Sequence, residues 1–151
     1  MTLDMLDRQT GTVLAFDFGL KRIGVAVGDG ELGLAHPLET IHVEGSAARF
    51  ARIAALIAEW KPVLVVVGMP MKDDGSEHEL APTCLRFARR LKGRFSLRVF
   101  WVDERYSSTA ASMALNENGV RGRSQKQVLD QMAAQQILQL YFDEPAYVHE
   151  M

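Results

Sequence analysis

Residues 63–67, Val-Leu-Val-Val-Val, form an apolar, mostly β-branched run with no polar face, bounded after Val67 by Gly68 and Pro70. Alternation is missing because such a strand is covered on both sides, as happens in a parallel sheet flanked by helices. A chain built around it must supply a helix layer for each face, which points to the α/β class. With 151 residues there is enough chain for one substantial core and too little for two. The expectation is therefore a single domain over residues 1–151, with its core at about 13–142 and short flexible termini.

The remaining elements fall into place around that strand. Residues 13–18 are almost wholly apolar and residues 23–27 resume the strand pattern after a turn at 19–22, which predicts a tight hairpin. A third strand is expected near residues 40–43. Ser46 has the character of a helix N-cap, and Phe50, Ile53, Ala54 and Ile57 share one face before Trp60 and Pro62 end the helix. A second helix is expected over about 82–91. Ser76 and Glu79 fit a capping box that would start it earlier, but Pro82 favours the later start. Residues 97–102 form a fifth strand. Ser107 or Ser108 can cap a helix ending at Gly119, and residues 124–142 form a longer last helix. The result is a mixed five-stranded sheet, its first three strands antiparallel and the rest parallel, with helices on both faces and the order βββαβαβα plus an extra helix.

Three acids do not belong in this pattern. Asp17 lies in an apolar strand between Phe16 and Phe18, where a carboxylate without partners would cost several kcal/mol if buried. Asp130 falls on the arc of Ala134, Ile137 and Tyr141, the apolar side of the last helix at about 100° per residue, while Gln131, Gln135 and Gln139 mark the polar side. Asp103 and Glu104 close the fifth strand, at the carboxyl end where ligand sites of parallel sheets gather. Alternation sends those two side chains to opposite faces, and the sequence leaves open which one joins the others. Each acid also has an ordinary explanation: Asp17 capping the turn at Gly19, Asp103 or Glu104 pairing Arg105, Asp130 bonding a nearby loop.

Were Asp17, an acid of the fifth strand and Asp130 to converge, hard oxygen donors without His or Cys would suit Mg²⁺ or Mn²⁺. Phosphodiester hydrolysis is the natural chemistry of such a site. With two ions about 4 Å apart, one can activate the attacking water while the other stabilises the departing oxygen, and no protein nucleophile is needed.

A formal net charge of −2 argues weakly against a nucleic-acid partner, but the distribution of charge matters more. Arg86, Arg89, Arg90, Lys92, Arg94 and Arg98 occur without an intervening acid, and Arg121, Arg123 and Lys126 form a second cluster. Either can be a phosphate-facing patch or merely a solvated face. Cys84 is the single cysteine, which excludes an internal disulfide and fits a packed helix residue. The sequence from Gly28 to Gly33 is a literal G-x-G-x-x-G. Pro37 follows too soon for a phosphate-binding helix, so the glycines are expected to serve a turn. His36, His42, His78 and His149 lack metal-ligand spacing. No apolar run approaches the roughly 20 residues of a membrane span and no leader pattern opens the chain, so a cytoplasmic protein is expected.

Several of these residues carry a resemblance. Asp17-Phe18-Gly19-Leu20-Lys21-Arg22-Ile23-Gly24 resembles the opening D-x-G-x-x-R-x-G signature of the YqgF family. Val67-Gly68-Met69-Pro70 with Asp74-Gly75 resembles its second block, and Arg86-Phe87-Ala88 its second helix. Val102-Asp103-Glu104-Arg105 with Ser107-Ser108 resembles its third block, and Asp130 with Ala133-Ala134 and Ile137-Leu138-Gln139 its last. The match covers about residues 13–142. Met69, where Leu is commoner, and the Ser107-Ser108 pair are its small departures.

The resemblance implies an RNase H-like fold related to Holliday junction resolvases and a nuclease role in maturing the 5′ end of pre-16S ribosomal RNA. It makes Asp17, Glu104 and Asp130 the candidate catalytic and metal-binding residues, with Asp103 a fourth. Lys21, Arg22, Arg105, Arg121, Arg123 and Lys126 are the candidate nucleic-acid contacts. RNA is favoured over DNA as partner, with the ribosome or its precursor RNA in view. A homodimer would suit symmetric junction cutting, which needs two paired sites. The competing readings are a junction-resolving DNA nuclease, a non-catalytic nucleic-acid-binding module in ribosome assembly or transcription, and, last, a phosphotransferase of the actin and sugar-kinase type.

Overall fold

A computed structural model describes residues 10–71, 79–103 and 122–151, with side chains in the last stretch described from residue 127 onward. Its elements run β1 (Thr12–Phe18), β2 (Ile23–Asp29), β3 (Leu34–Ile41), α1 (Ser46–Trp60), β4 (Leu64–Met69), α2 (Ala81–Phe95), β5 (Arg98–Asp103), α3 (Gly122–Asp143), a 3₁₀ turn (Pro145–Tyr147) and β6 (Val148–Glu150). The expected helix after Ser107 or Ser108 lies outside the described residues.

The strands form one sheet in the order β3-β2-β1-β4-β5-β6. β1 pairs antiparallel with β2 and parallel with β4, and β5 continues the parallel set. The fully apolar β4 thus sits at the centre, buried along its length. Alternation along the strands builds two cores. Leu14, Phe16, Val25, Val65, Val67 and Val99 face α1 and α2, meeting Phe50, Ile53, Leu56, Phe87 and Leu91. Val13, Ala15, Ala26, Val66, Phe100 and Val102 face α3, meeting Ala134, Ile137, Leu138, Tyr141 and Phe142. Each fully buried Leu, Ile or Phe contributes about 1.5–3 kcal/mol, so both helix layers are needed to hold the sheet.

Four details differ from the sequence expectation. The sheet has six strands rather than five, because β6 returns antiparallel along β5. Three residues are too few to show a pattern. β6 is held by its partners: an Arg98–Glu150 fork at 2.9 and 3.0 Å, and His149 stacked on Trp101 at 4.1 Å. β3 begins at Leu34, well before the expected residues 40–43, and contains Pro37. An edge strand tolerates proline, and the irregularity it brings falls at Val25/Ala26, where the register with β3 shifts. α1 is entered through Gly45 at φ 89 rather than capped by the side chain of Ser46. The chain needs a positive φ there, which glycine supplies without strain. α2 runs on past residue 91 to Phe95.

Other expectations are met. α2 opens with Pro82 in its first turn. Cys84 is buried in a small cluster with Met69 and Ala81. Residues 28–33 make a turn in which the Asp29 carboxylate accepts from Glu31 N at 2.8 Å, and Gly33 adopts φ 69. Among the described residues no helix is long and apolar enough to cross a membrane.

The glutamines of α3 are not a solvent-facing side. Gln139 accepts from Ala35 N at 3.0 Å and donates to Gly33 O at 2.8 Å, while Gln135 donates to Ala35 O at 3.0 Å. Their amides bond backbone groups of the edge strand β3 and its approach, groups that would otherwise invite another chain.

α3 also comes very close to β2. A methyl group at Gly24 would overlap the backbone carbonyl of Asp130, and one at Gly28 would meet the Phe142 ring at 2.9 Å. Gly24→Ala is expected to force the helix off the sheet and destabilise the protein by about 1–3 kcal/mol or more, read from chemical denaturation. An unchanged midpoint would show that the close approach is not required.

At the other edge, the Arg98 hydrogen bond holds the Glu150 carboxyl below its ordinary pKa. A depressed carboxyl pKa stabilises the fold above the unfolded value of about 4.3, and that contribution disappears as pH falls through the folded value. The pair is exposed and screened, so Glu150→Gln is expected to cost under about 1 kcal/mol at pH 7 and progressively less as the solution is acidified below the unfolded value, measured by unfolding across that range.

Candidate functional site

β1 presents two kinds of side chain at its carboxyl end. Phe18, in phase with Leu14 and Phe16, packs against Phe87 of α2, with ring centroids 4.8 Å apart. Asp17 is out of phase with them and belongs with Val13 and Ala15 on the α3 side. It is half-buried there and engaged with other groups.

The hairpin register sets Asp17 directly opposite Gly24, at the Cα separation of about 4.5–5.5 Å usual for antiparallel pairs. Gly24 is also the residue over which Asp130 lies, so near that a Cβ on the glycine would stand 3.1 Å from the Asp130 Cβ. The two aspartates therefore border one glycine on one face of the sheet. Their elements are far apart in sequence and are brought together by the packing of α3 on β2.

Arg22, at the end of the β1–β2 turn, closes this arrangement. Its Nε donates to Asp130 Oδ2 at 2.6 Å, with the two side chains 27% and 20% exposed. A charge-assisted bond of this length fixes the carboxylate's direction and offsets its charge. The ordinary explanation of Asp130, that it bonds a nearby loop, is thus realised through Arg22. That contact is compatible with a site, because a half-buried carboxylate held in place is what a binding site requires.

Asp103 goes elsewhere. It is in register with Met69, whose side chain is buried against α2, and alternates with Val102 of the α3 side. The pleat puts it on the sheet face opposite Asp17. Glu104, Arg105 and Arg121 lie outside the described residues, as do the side chains of Arg123 and Lys126. Among the described residues no three acids, His or Cys gather closely enough to hold a metal ion. Lys21 is exposed on the turn beside Arg22 and points toward the α1/α2 side, where it lines a cleft with Phe18 and Phe50.

Two residues of this region were not singled out by their chemistry in the sequence. Gly24 enters only as part of a motif, although the absence of a side chain is what lets α3 close on β2. Arg49 of α1 donates to the carbonyls of Gly19, at 3.0 Å, and of Leu20, which ties the turn carrying Lys21 and Arg22 to α1. Nothing in a helical arginine's local sequence signals that it will reach a turn 29 or 30 residues away.

Comparison with known proteins bears on the whole of this region. The family model described as "RuvX: Holliday junction resolvase" matches residues 11–144. A protein of Methylobacillus flagellatus is 59% identical over 133 residues, covering 88% of this chain and 91% of the relative. One from Nitrosospira multiformis is 60% identical over 134 residues, covering 89% of each. Both carry the name "Putative pre-16S rRNA nuclease". Among solved structures, Thermus thermophilus RuvC in complex with a Holliday junction substrate superposes with a TM-score of 0.56 at 15% identity, covering 93% of this chain and 99% of that one. A further RuvC structure from the same organism gives 0.52 at 18% identity. At those identities the likeness concerns the fold, which is RNase H-like. The sequence matches reach further, and on them the chain belongs to the RuvX family, the YqgF group that its motifs resemble.

Proposed function

We propose that this protein is a divalent-metal-dependent endonuclease that hydrolyses phosphodiester bonds of structured nucleic acid, with the 5′ end of pre-16S ribosomal RNA as its substrate. The observation that carries the reading is the juxtaposition of Asp17 and Asp130 across Gly24, beside the carboxyl ends of the parallel strands. Family membership and the name shared by relatives more than half identical to this chain support it.

The donor set fits a hard cation. Asp17 and Asp130 supply carboxylate oxygens on one face, and among the described residues no sulfur or imidazole competes with them in that face's core. Glu104 is the third acid of the proposal. Asp103 is left out, because its register with Met69 sets it on the α2 side. Mg²⁺ or Mn²⁺ held there would activate water for attack at phosphorus and offset charge on the departing oxygen. The chain's own residues do the positioning. Asp17 is fixed by the hairpin, Asp130 by helix packing and by Arg22, so their orientation is set before substrate arrives. Lys21 and Arg22 on the turn, with Arg105, Arg121, Arg123 and Lys126, are the proposed phosphate contacts. A cytoplasmic location accords with a ribosomal RNA substrate.

The description of the matching family favours a second reading, a junction-resolving DNA nuclease using the same acids. Cleavage of a labelled pre-16S fragment and a four-way DNA junction, with Mg²⁺, Mn²⁺ or EDTA, separates the two. Metal-dependent cutting of the RNA is expected. Asp17→Asn and Asp130→Asn should each lower it by about a hundredfold or more, since even outer partners of metal ligands are worth about ten- to a hundredfold. Preferential cutting of the junction would move the substrate to DNA. Binding of either without cutting under any metal would reduce the protein to a binding module.

A further inference from the structure

On the side of the sheet away from Asp17 and Asp130, the β1–β2 turn, the start of α1 and one face of α2 enclose a cleft of about 640 Å³. Four cationic side chains line it, Lys21 from the turn, Arg49 from α1, and Arg86 and Arg90 from α2, against a single acid, Glu44. Beneath it Phe18, Phe50 and Phe87 pack between the helices and the sheet, with Phe50 and Phe87 buried in the core.

Three arginines elsewhere on the described surface meet carboxylates: Arg22 with Asp130, Arg52 with Glu39, Arg98 with Glu150. The cations of the cleft do not. Among the described residues Lys21, Arg86 and Arg90 form no ion pair; Arg90 lies over the Phe50 ring at 4.4 Å, and Arg49 is held by the turn carbonyls. Four positive charges converging on one concavity repel one another, and a low-dielectric wall behind them concentrates their field. An arrangement that opposes folding in this way is suited to an anion.

The geometry points to a binding site for the phosphodiester backbone of a single strand of the nucleic acid, on the opposite side of the sheet from the proposed catalytic acids. The volume is within the roughly 300–1,000 Å³ of small-ligand sites, which admits a nucleotide unit but not a duplex. A positively charged groove tracks the backbone of an unpaired strand without reading its sequence. The turn supplies the connection between the two sides. Arg22 reaches Asp130 on the α3 side while its neighbour Lys21 lines the cleft, so a strand crossing the turn meets both. This site rests on the nuclease reading for its purpose but not for its test.

Binding is measured by fluorescence anisotropy in EDTA, where no cleavage occurs, with a labelled single-stranded RNA of about ten nucleotides, within the span of such grooves. Arg86→Ala/Arg90→Ala is expected to weaken binding about tenfold and to reduce the salt slope by about 1.4, for two phosphates at about 0.7 each. Arg86→Lys/Arg90→Lys, which keeps the charges, should recover most of the loss. Both arginines are exposed, so the variants are expected to fold, which circular dichroism checks. Parental affinity and salt slope in the alanine variant would overturn the proposal. So would displacement of the RNA by a free mononucleotide at concentrations comparable with the RNA Kd, which would make the cleft a nucleotide pocket. Should the parent protein bind as described yet cut no substrate with any metal, the nuclease reading fails and the cleft stands.

Discussion

The contact between α3 and β2 at Gly24 is the constraint on which the other features depend. The helix backbone at Asp130 lies where a side chain on residue 24 would have to be. Because the helix can descend that far, its apolar residues Ala134, Ile137 and Leu138 reach the sheet and complete one of the two cores. The same descent brings Asp130 beside Asp17 and within a 2.6 Å bond of Arg22. Packing and the candidate site thus share one cause, and substitution at this glycine is expected to damage both together.

Strand alternation then divides the labour between the faces. On β1, Phe18 belongs to the α1/α2 core and Asp17 to the α3 side, one residue apart. On the following turn, Lys21 lines the basic cleft and Arg22 engages Asp130. A one-residue slip of the hairpin would exchange these roles, which is why register matters here more than composition. Arg49 binds the turn's carbonyls and so keeps the exchange point in place.

Much of this was legible from residues alone, for physical reasons that differ by element. β1 and β4 were evident because strands covered on both faces need unbroken apolar runs, and α2 because Pro82 can sit only in a first turn. Asp17 and Asp130 stood out since each interrupts an apolar pattern that carries its own geometry. The extent of β3 was hidden by Pro37, whose edge position only the sheet order reveals. β6 was invisible because its stability comes from Arg98 and Trp101 rather than from its own three residues. The glutamines of α3 mark its polar side in the sequence, yet what that side bonds, β3 about 100 residues away, has no local signal. The side taken by Asp103 depends on pairing with Met69, and no local signal carries that pairing.

The proposed role of the aspartates gathered around Gly24 is to hold a divalent cation. Manganese binding followed by electron paramagnetic resonance, on the parent protein and on Asp130→Asn, tests it without reference to any substrate. Saturable Mn²⁺ binding is expected, displaced by Mg²⁺ and weakened by the substitution by about tenfold or more, since even outer partners of metal ligands are worth about ten- to a hundredfold. Equal Mn²⁺ affinity in the two proteins, with both folded, would contradict it.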